Sequence, residues 1–321
     1  MSLVDKRIEE YKHAKELKDN KILNYIPFKD VFPEFSKSLP GLLPGTMYKL
    51  LSYTSIGKST ITRFITVLHS YHMYLKYGVK FKVIYFALEE SKEDFIDSFI
   101  LFMLFQQYGI ISTKYDLNGY NDGTLTDDLL SKIESVKQEV ENILKFVDIQ
   151  DNITHATGMY KYCLQESHNL GVHYMKNKKT GDKIEYMKYD ILPSNVKSNF
   201  SYDSYVKNDP DLIVIVVCDQ INNISAEKSE GIMMSQIDSM KRWSMNYCRL
   251  TMTKHWKWVI WNVQQLAFAG EGLESKKHND LKPSLDKGGG SKEINGLLTG
   301  LNGKYPEVDN SVPMTLEIRE C

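Results

Sequence analysis

Three short, densely apolar runs constrain this fold more than any other feature of the sequence. They are FKVIYFAL (residues 81–88), LIVIVVC (212–218) and WVIWNV (258–263), and each is rich in β-branched or aromatic side chains. Runs of this length and composition are typical of strands that are buried on both faces. Longer segments with helical periodicity separate them, so the sequence predicts an α/β fold with a mostly parallel sheet and helices on both sides.

The overall composition excludes some classes of protein. There are 40 Lys and Arg residues against 41 Asp and Glu, a net charge of −1, and 42% of residues are hydrophobic. These values exclude wholesale disorder and a histone-like basic protein, although a local basic channel is still allowed. The cysteines are widely spaced, which favours a reducing compartment. Without an apolar run of 18 residues or an apolar N-terminal signal core, we predict a soluble cytoplasmic protein with no membrane association.

The N-terminal residues are expected to form an amphipathic helix outside the main domain. The pattern over residues 4–18 gives this helix one apolar face, formed by Val4, Ile8, Tyr11 and Leu17. The face either packs on its own domain or docks on a neighbouring subunit. Four prolines between residues 26 and 45 then favour an extended connection. We therefore predict a linker helix in residues 1–25 and one α/β domain in residues 26–321.

An inserted region is expected within this domain, at residues 170–209. The segment KKTGD lies between two strand-like runs, a pattern that predicts a β-hairpin. Residues 193–210 are rich in Ser, Asn, Asp and Tyr and are expected to form a surface excursion. After the second apolar run, a long helix is predicted over residues 233–254. Met233 and Met234 would then make core or subunit contacts.

The strongest functional signal is the segment SYTSIGKST at residues 52–60. It fits the phosphate-loop pattern GxxxxGK[ST], except that Ser52 replaces the first glycine. A predicted strand precedes it and a predicted helix opens at Lys58, so backbone amides at a helix N-terminus would surround a phosphate. In this pattern the lysine contacts the phosphates and Ser59 binds Mg²⁺. The predicted nucleotide-binding residues are Thr54, Ser55, Ile56, Gly57, Lys58, Ser59 and Thr60.

Polar residues follow the apolar runs, where the carboxyl ends of parallel strands form ligand sites. Asp219 follows LIVIVVC and would bind Mg²⁺ with Ser59, or it is an ordinary turn residue. Glu89 and Glu90 follow FKVIYFAL, where a glutamate could activate water for attack on a phosphate. Alternatively, both glutamates simply stabilise the N-terminus of the next helix. Gln265 closes the third strand and would sense the terminal phosphate, or it lies on the surface.

Taken in order, these segments resemble RecA-fold ATPases, and most of all the replicative DNA helicases of the DnaB type that bacteria and many phages encode. The resemblance spans residues 26–319 through SYTSIGKST, FALEES, LIVIVVCDQI, VQQLA and LKPSLDKGGGSKEI. It implies a RecA-like P-loop core, ATP and Mg²⁺ as cofactors, Glu89 as the catalytic base and Gln265 as the glutamine at the next strand end. It also implies a hexameric ring, with single-stranded DNA and other replication proteins as partners.

The sequence departs from that family at several positions. The arginine that follows the glutamine motif is absent, and Phe268 stands near its place. The region 170–209 is unlike the common helicase core. The family's last strand carries a Lys-x-Arg pair whose arginine reaches the neighbouring subunit's nucleotide, and here only Arg319 is available for that role.

Two loops would face DNA if the resemblance holds, residues 222–234 and 267–291. The second loop carries several lysines beside a run of three glycines, namely Lys276, Lys277, Lys282 and Lys287. Such a loop suits contacts to a phosphate backbone without base reading, or it is merely solvated. We therefore predict an ATP-driven DNA helicase or translocase. The alternatives are a KaiC- or RecA-like ATPase without unwinding activity and a nucleotide-binding scaffold that has lost turnover.

Overall fold

The computed structural model describes residues 3–19, 23–52, 57–186, 199–229, 232–265 and 315–320. Its strands are β1 (Ile26–Pro27), β2 (Gly41–Leu42), β3 (Thr46–Ser52), β4 (Phe81–Ala87), β5 (Val147–Gln150), β6 (Gly171–Asn177), β7 (Lys183–Tyr186), β8 (Phe200–Lys207), β9 (Ile213–Asp219), β10 (Glu227–Ser229), β11 (Ile232–Met234), β12 (Val259–Gln265) and β13 (Thr315–Glu320). Its α-helices are α1 (Leu3–Asp19), α2 (Lys58–Arg63), α3 (His69–Tyr77), α4 (Lys92–Tyr108), α5 (Lys114–Leu117), α6 (Asp127–Leu144), α7 (Ala156–Leu170) and α8 (Gln236–Lys241). A π-helical segment (Phe64–Leu68) joins α2 to α3, and another (Arg242–Thr253) continues α8.

The main sheet has six strands in the order β13-β3-β12-β9-β4-β5. The five strands from β3 to β5 run parallel, and β13 pairs antiparallel with β3 at one edge. The three apolar runs of the sequence form β4, β9 and β12, and all seven residues of β9 are buried. The predicted α/β fold with a mostly parallel sheet is therefore confirmed.

Helices cover both faces of this sheet, because successive strand residues point to opposite sides. Val83 and Tyr85 of β4 pack in one hydrophobic core with residues of α3, α4 and α6. Ile84 and Phe86 pack in a second core with residues of α7, α8 and the π-helical segment that follows α8. Burial on both faces explains why these strands lack an alternating polar pattern.

Two sequence predictions near the main domain need correction. The helix predicted over 233–254 begins only at Gln236, because the Ser235 side chain accepts a hydrogen bond from the Asp238 amide and caps it. Met233 and Met234 instead belong to the β10–β11 hairpin, where Met233 is 71% exposed and is not a core residue of this chain. The extended, loop-like connection predicted over 26–45 contains only the short strands β1 and β2 and a 3₁₀ turn, and its Phe28 and Leu39 are buried in the core.

The N-terminal helix is confirmed, and its apolar face is left uncovered by the described part of the chain. Val4, Ile8 and Tyr11 are 67%, 45% and 62% exposed. The side chain of Leu17 lies outside the described residues. Of the two arrangements considered for this helix, packing on its own domain is therefore not observed.

The inserted region forms a separate antiparallel sheet in the order β7-β6-β8. The predicted hairpin is confirmed, and its turn is closed by Asn177 and Asp182. Within the predicted surface excursion, residues 200–207 form strand β8, which pairs along the whole length of β6 and has no fully buried residue. Its tyrosines explain the difference, because Tyr205 packs near Trp256 and donates a hydrogen bond to the Ser167 carbonyl at 3.0 Å.

Among the described residues, no helix is both long enough and apolar enough to span a membrane.

Candidate active site

The candidate site lies at the carboxyl edge of the parallel sheet. Strand register aligns Ala87 of β4 with Asp219 of β9, and Gln265 of β12 with Ser52 of β3. The segments that follow these strands therefore leave the sheet side by side. This is the position at which open α/β sheets bind ligands.

The described part of the predicted phosphate loop turns directly into helix α2. Gly57 has a φ of 77°, in the left-handed region that favours glycine, and its carbonyl accepts the first helical hydrogen bond from the Ile61 amide at 2.9 Å. Lys58 opens the helix and is buried, with 6% exposure. Trp261 Nε1 of β12 donates to Thr62 Oγ1 at 3.1 Å, which ties the first turn of the helix to the sheet.

Several residues predicted for the phosphate loop cannot be placed. Thr54, Ser55 and Ile56 lie outside the described residues, as does the side chain of Ser52. Thr60 is described and is exposed at the start of α2.

Asp219 is a buried carboxylate at the end of β9, with 2% exposure. Its Oδ2 accepts a hydrogen bond from the Tyr85 hydroxyl at 2.7 Å, whereas its Oδ1 meets no hydrogen-bond partner among the described residues. Burial raises the pKa of Asp219, and the hydroxyls of Tyr85 and Ser59 oppose that rise. Asp219 and Ser59, which were predicted to share a metal, are thus neighbours, and Oδ1 of the carboxylate has no hydrogen-bond partner in the part of the chain that the structure describes.

Glu89 and Glu90 follow β4 directly but have different surroundings. Glu90 is held by two cations, since it pairs with the Arg63 guanidinium and lies 3.7 Å from Lys114 Nζ. Its side chain is 15% exposed. Glu89 is exposed, and its Oε2 accepts a hydrogen bond from Gln220 Nε2 at 2.8 Å. Of the two glutamates, Glu89 is therefore the one that is available to a ligand.

The ends of β9 and β12 are joined by a side chain of the short 3₁₀ turn Ile221–Asn223. Asn222 Oδ1 accepts a hydrogen bond from the backbone amide of Gln265 at 3.1 Å. Gln265 is half-buried, whereas its neighbour Gln264 is fully buried. The predicted sensor position is thus attached to the segment that follows Asp219.

Sequence reasoning missed three contributors to the site: Tyr85, Arg63 and Gln220. Nothing in the sequence distinguishes Tyr85 from the other aromatic residues of its strand. In the structure, burial raises the pKa of Tyr85 and keeps its hydroxyl protonated, so that it donates a hydrogen bond to Asp219. Arg63 lies one and a half turns into the helix, outside the phosphate-loop pattern. Gln220 could have been found from the sequence, because it directly follows Asp219, the aspartate that is predicted to bind Mg²⁺.

The remaining predicted residues do not join this edge within the described structure. The lysines of the second loop, Lys276, Lys277, Lys282 and Lys287, lie outside the described residues, as does Phe268. Arg319 is opposite Met47 at the amino end of β3. Met47 precedes Ser52 by five positions, or about 17 Å of strand, so the backbone of Arg319 does not lie at the carboxyl edge of the sheet in its own chain.

The oxygen donors at this edge suit a metal that is bound together with a phosphate ligand. The described residues contain no group of three or more His, Cys, Asp or Glu side chains arranged to hold a metal ion alone. Mg²⁺ does not require one, since it commonly takes one or two protein ligands and fills its shell with water and phosphate oxygens. Asp219 Oδ1 and the Ser59 hydroxyl fit that requirement.

Comparison with known proteins does not assign this chain to a family, so its classification depends on the fold and on the residues at this edge of the sheet. No protein-family model matches the sequence, and no curated protein matches it. The chain is an α/β protein with a five-stranded parallel sheet flanked by helices, an architecture compatible with a Rossmann or RecA-like core.

Proposed function

We propose that this protein is a RecA-like P-loop ATPase that uses Mg²⁺, forms a ring and moves along single-stranded DNA as a helicase or translocase. The observation that carries the proposal is the convergence of Lys58, Ser59, Asp219 and Glu89 at one sheet edge, at the start of a helix. The sequence patterns predict all four residues at this edge. A chance GKST segment would have no reason to lie beside a buried aspartate and an available glutamate.

In this proposal, some of the described side chains would bind the phosphates and Mg²⁺, and one would activate water. Lys58 and the first amides of α2 would hold the phosphates, because an ammonium group and a helix N-terminus both favour negative charge. Ser59 and Asp219 would hold Mg²⁺, which neutralises phosphate charge when bound. Glu89 would orient and deprotonate the attacking water. Glu90 has no part in this chemistry, since Arg63 and Lys114 already neutralise it.

Coupling to DNA is supported by the segments that leave this edge. The 3₁₀ turn after β9 leads into the β10–β11 hairpin, and the end of β12 leads into the lysine-bearing loop 267–291. The Asn222–Gln265 hydrogen bond connects the starts of both segments. A change at the terminal phosphate would therefore reach both predicted DNA loops through a short path.

The position of Arg319 favours assembly into a ring. An arginine that stabilises charge during hydrolysis must approach the phosphates. Arg319 lies at the opposite end of β3 from the phosphate loop of its own chain. If it acts in hydrolysis, it must therefore act on the nucleotide of a neighbouring subunit.

The test is ATP turnover with and without single-stranded DNA, together with the mass in solution by light scattering. We expect Mg²⁺-dependent turnover that DNA stimulates, in a particle of about six subunits. Turnover that DNA does not change would favour the KaiC- or RecA-like alternative without unwinding. Nucleotide binding without turnover would favour the scaffold.

A triple variant tests the DNA surface separately. Replacing Lys276, Lys277 and Lys282 by Ala should weaken DNA binding and reduce its salt dependence, because each lost phosphate contact removes about one released counterion. Turnover without DNA should persist. The matched control is Lys178→Ala with Lys179→Ala, at the turn of the β6–β7 hairpin. Undiminished DNA binding by the triple variant would contradict this surface.

A further inference from the structure

Glu89 has one hydrogen-bond partner among the described residues, and that partner is Gln220. The contact joins Gln220 Nε2 to Glu89 Oε2 at 2.8 Å and connects residues 131 positions apart in sequence. Glu89 itself lies in the bend between β4 and α4 and is exposed. A glutamate at such a position can adopt several rotamers, so its orientation depends on what holds it.

Gln220 is placed to hold Glu89 because it is itself fixed. It follows Asp219 at the end of β9, has 2% exposure, and accepts a backbone hydrogen bond from the Asn223 amide at 3.0 Å. Its amide nitrogen reaches outward to the exposed carboxylate. Its carbonyl oxygen Oε1 is buried and has no hydrogen-bond partner among the described residues.

The unsatisfied carbonyl shows that this amide is not optimal for stability. An apolar side chain of the same length would avoid the cost of burying an oxygen without a partner. The amide group therefore needs another explanation, and the hydrogen bond to Glu89 supplies one.

We propose that Gln220 is a positioning residue, which fixes the Glu89 carboxylate in the orientation that activates water. This inference rests on the proposed function, since it concerns the same site. Gln220 does not contact the reacting atoms, so its effect must pass through Glu89. Removal of the Gln220 amide should therefore lower kcat and leave KM nearly unchanged, because in this proposal nucleotide binding depends on Lys58 and the first turn of α2.

The test compares Gln220→Met with a matched control at Gln236. Both substitutions replace the same amide by an apolar chain of equal length, and the Gln236 amide makes a comparable hydrogen bond of 2.7 Å, to the Asn222 carbonyl. We expect Gln220→Met to lower kcat about tenfold, as for loss of a hydrogen bond to a charged group, with KM within about twofold of the wild type. Its melting temperature should be equal or higher. Gln236→Met should keep the wild-type kcat.

Two further variants separate positioning from a structural role. Gln220→Asn keeps the amide but shortens the side chain by one methylene, so it should also lower kcat. In a Glu89→Gln background, Gln220→Met should cause no further loss, because its effect passes through that carboxylate. A comparable loss in both backgrounds, or a loss of kcat that follows a fall in melting temperature, would make Gln220 structural and overturn the inference.

The same measurements distinguish this inference from the proposed function. If the wild type hydrolyses ATP and Glu89→Gln does not, while Gln220→Met retains the wild-type kcat, the positioning role is wrong and the ATPase proposal stands. If the wild type neither binds nor hydrolyses a nucleotide, both are wrong.

Discussion

Neighbouring glutamates at the end of β4 differ in their surroundings, and the difference assigns them different roles. Glu90 lies between Arg63 and Lys114, with a 15% exposed side chain, whereas Glu89 is exposed and accepts a hydrogen bond from the buried Gln220. An ion-paired carboxylate that is largely removed from water contributes to packing and charge balance. A carboxylate with a single neutral partner remains free to act on a ligand.

Glu90→Gln should therefore destabilise the protein without abolishing ATP turnover. The substitution removes the main counter-ion of the Arg63 guanidinium, whose side chain is only 10% exposed. We expect a loss of about 1–3 kcal/mol in the free energy of unfolding, with turnover within a few-fold of the wild type. Denaturant unfolding and steady-state ATPase assays would measure both. Loss of turnover at full stability would move the catalytic role from Glu89 to Glu90.

Asp219→Asn should raise stability while it removes Mg²⁺-dependent turnover. Burial raises the pKa of Asp219, so its ionisation costs folding free energy, and that cost grows as pH rises above the ordinary value of 3.8. Asparagine cannot ionise, and near neutral pH it should raise the melting temperature by about 1.5 °C for each 1 kcal/mol relieved in a chain of 321 residues. Calorimetry at several pH values would show the gain shrinking in acid.

The control for this prediction is Asp209→Asn. Lys80 holds the pKa of Asp209 below its ordinary value, so the control should lower stability slightly and not raise it. A melting temperature that falls in Asp219→Asn as well would show that ionised Asp219 is not a cost to this fold.

At the level of elements, the added sheet of β6, β7 and β8 carries a buried histidine. His173 has 2% exposure, its Nε2 lies 2.7 Å from Ser167 Oγ, and its ring is 4.6 Å from that of His168. Burial, helped by His168, lowers the pKa of His173 to about 3. The contacts of His173 with Ser167 of α7 and with the Trp256 ring, 5.4 Å away, tie the added sheet to the main domain.

This histidine predicts a loss of stability in acid. Between its ordinary pKa of 6.5 and about 3, the unfolded chain binds a proton that the folded chain does not. The free energy of unfolding should therefore fall by up to about 1.4 kcal/mol per pH unit on account of His173. His173→Gln should reduce that slope, measured by denaturant unfolding from pH 7 to pH 4. An unchanged slope in His173→Gln would contradict the assignment.

Sequence patterns predict a helix or strand correctly where local sequence determines it, and they fail where contacts with residues distant in sequence determine it. Buried strands such as β9 are apolar throughout, and helix α6 begins at its Thr126 cap, so both could be recognised locally. Strand β8 could not, because its composition is that of a loop and its place depends on pairing with β6 and packing near Trp256. The same holds within the site. Glu89 and Glu90 are adjacent, and only the family resemblance favours Glu89 in the sequence, whereas in the structure the distant Arg63, Lys114 and Gln220 distinguish them.

At the level of the whole molecule, the N-terminal helix leaves an apolar face exposed. Val4, Ile8 and Tyr11 are all at least 45% exposed on α1, although burying a large aliphatic side chain contributes about 1.5–3 kcal/mol. A ring in which α1 docks on the adjacent subunit would cover this face. That arrangement is the one of the two sequence expectations that remains open.

Replacing Val4, Ile8 and Tyr11 by Ser should shift the protein toward monomer and lower ATPase activity. Nucleotide binding by each monomer should remain, because α1 is remote in sequence from helix α2 and the loop before it, where we propose that the phosphates bind. The matched control replaces Glu9, Lys12 and Lys15 by Ser in the same helix. Light scattering at several protein concentrations would measure the assembly. Equal masses for the wild type and the apolar-face variant would contradict a role for α1 in the ring.

The most direct test of the account is the state of the nucleotide on Glu89→Gln. The variant would be mixed with Mg²⁺ and ATP, separated from free nucleotide, and its bound nucleotide identified by chromatography. We predict wild-type affinity, bound nucleotide that is still ATP, and turnover at least about 100-fold lower, because the attacking water loses its base. A variant that hydrolyses ATP at the wild-type rate, or a wild-type protein that binds no ATP, would contradict the account.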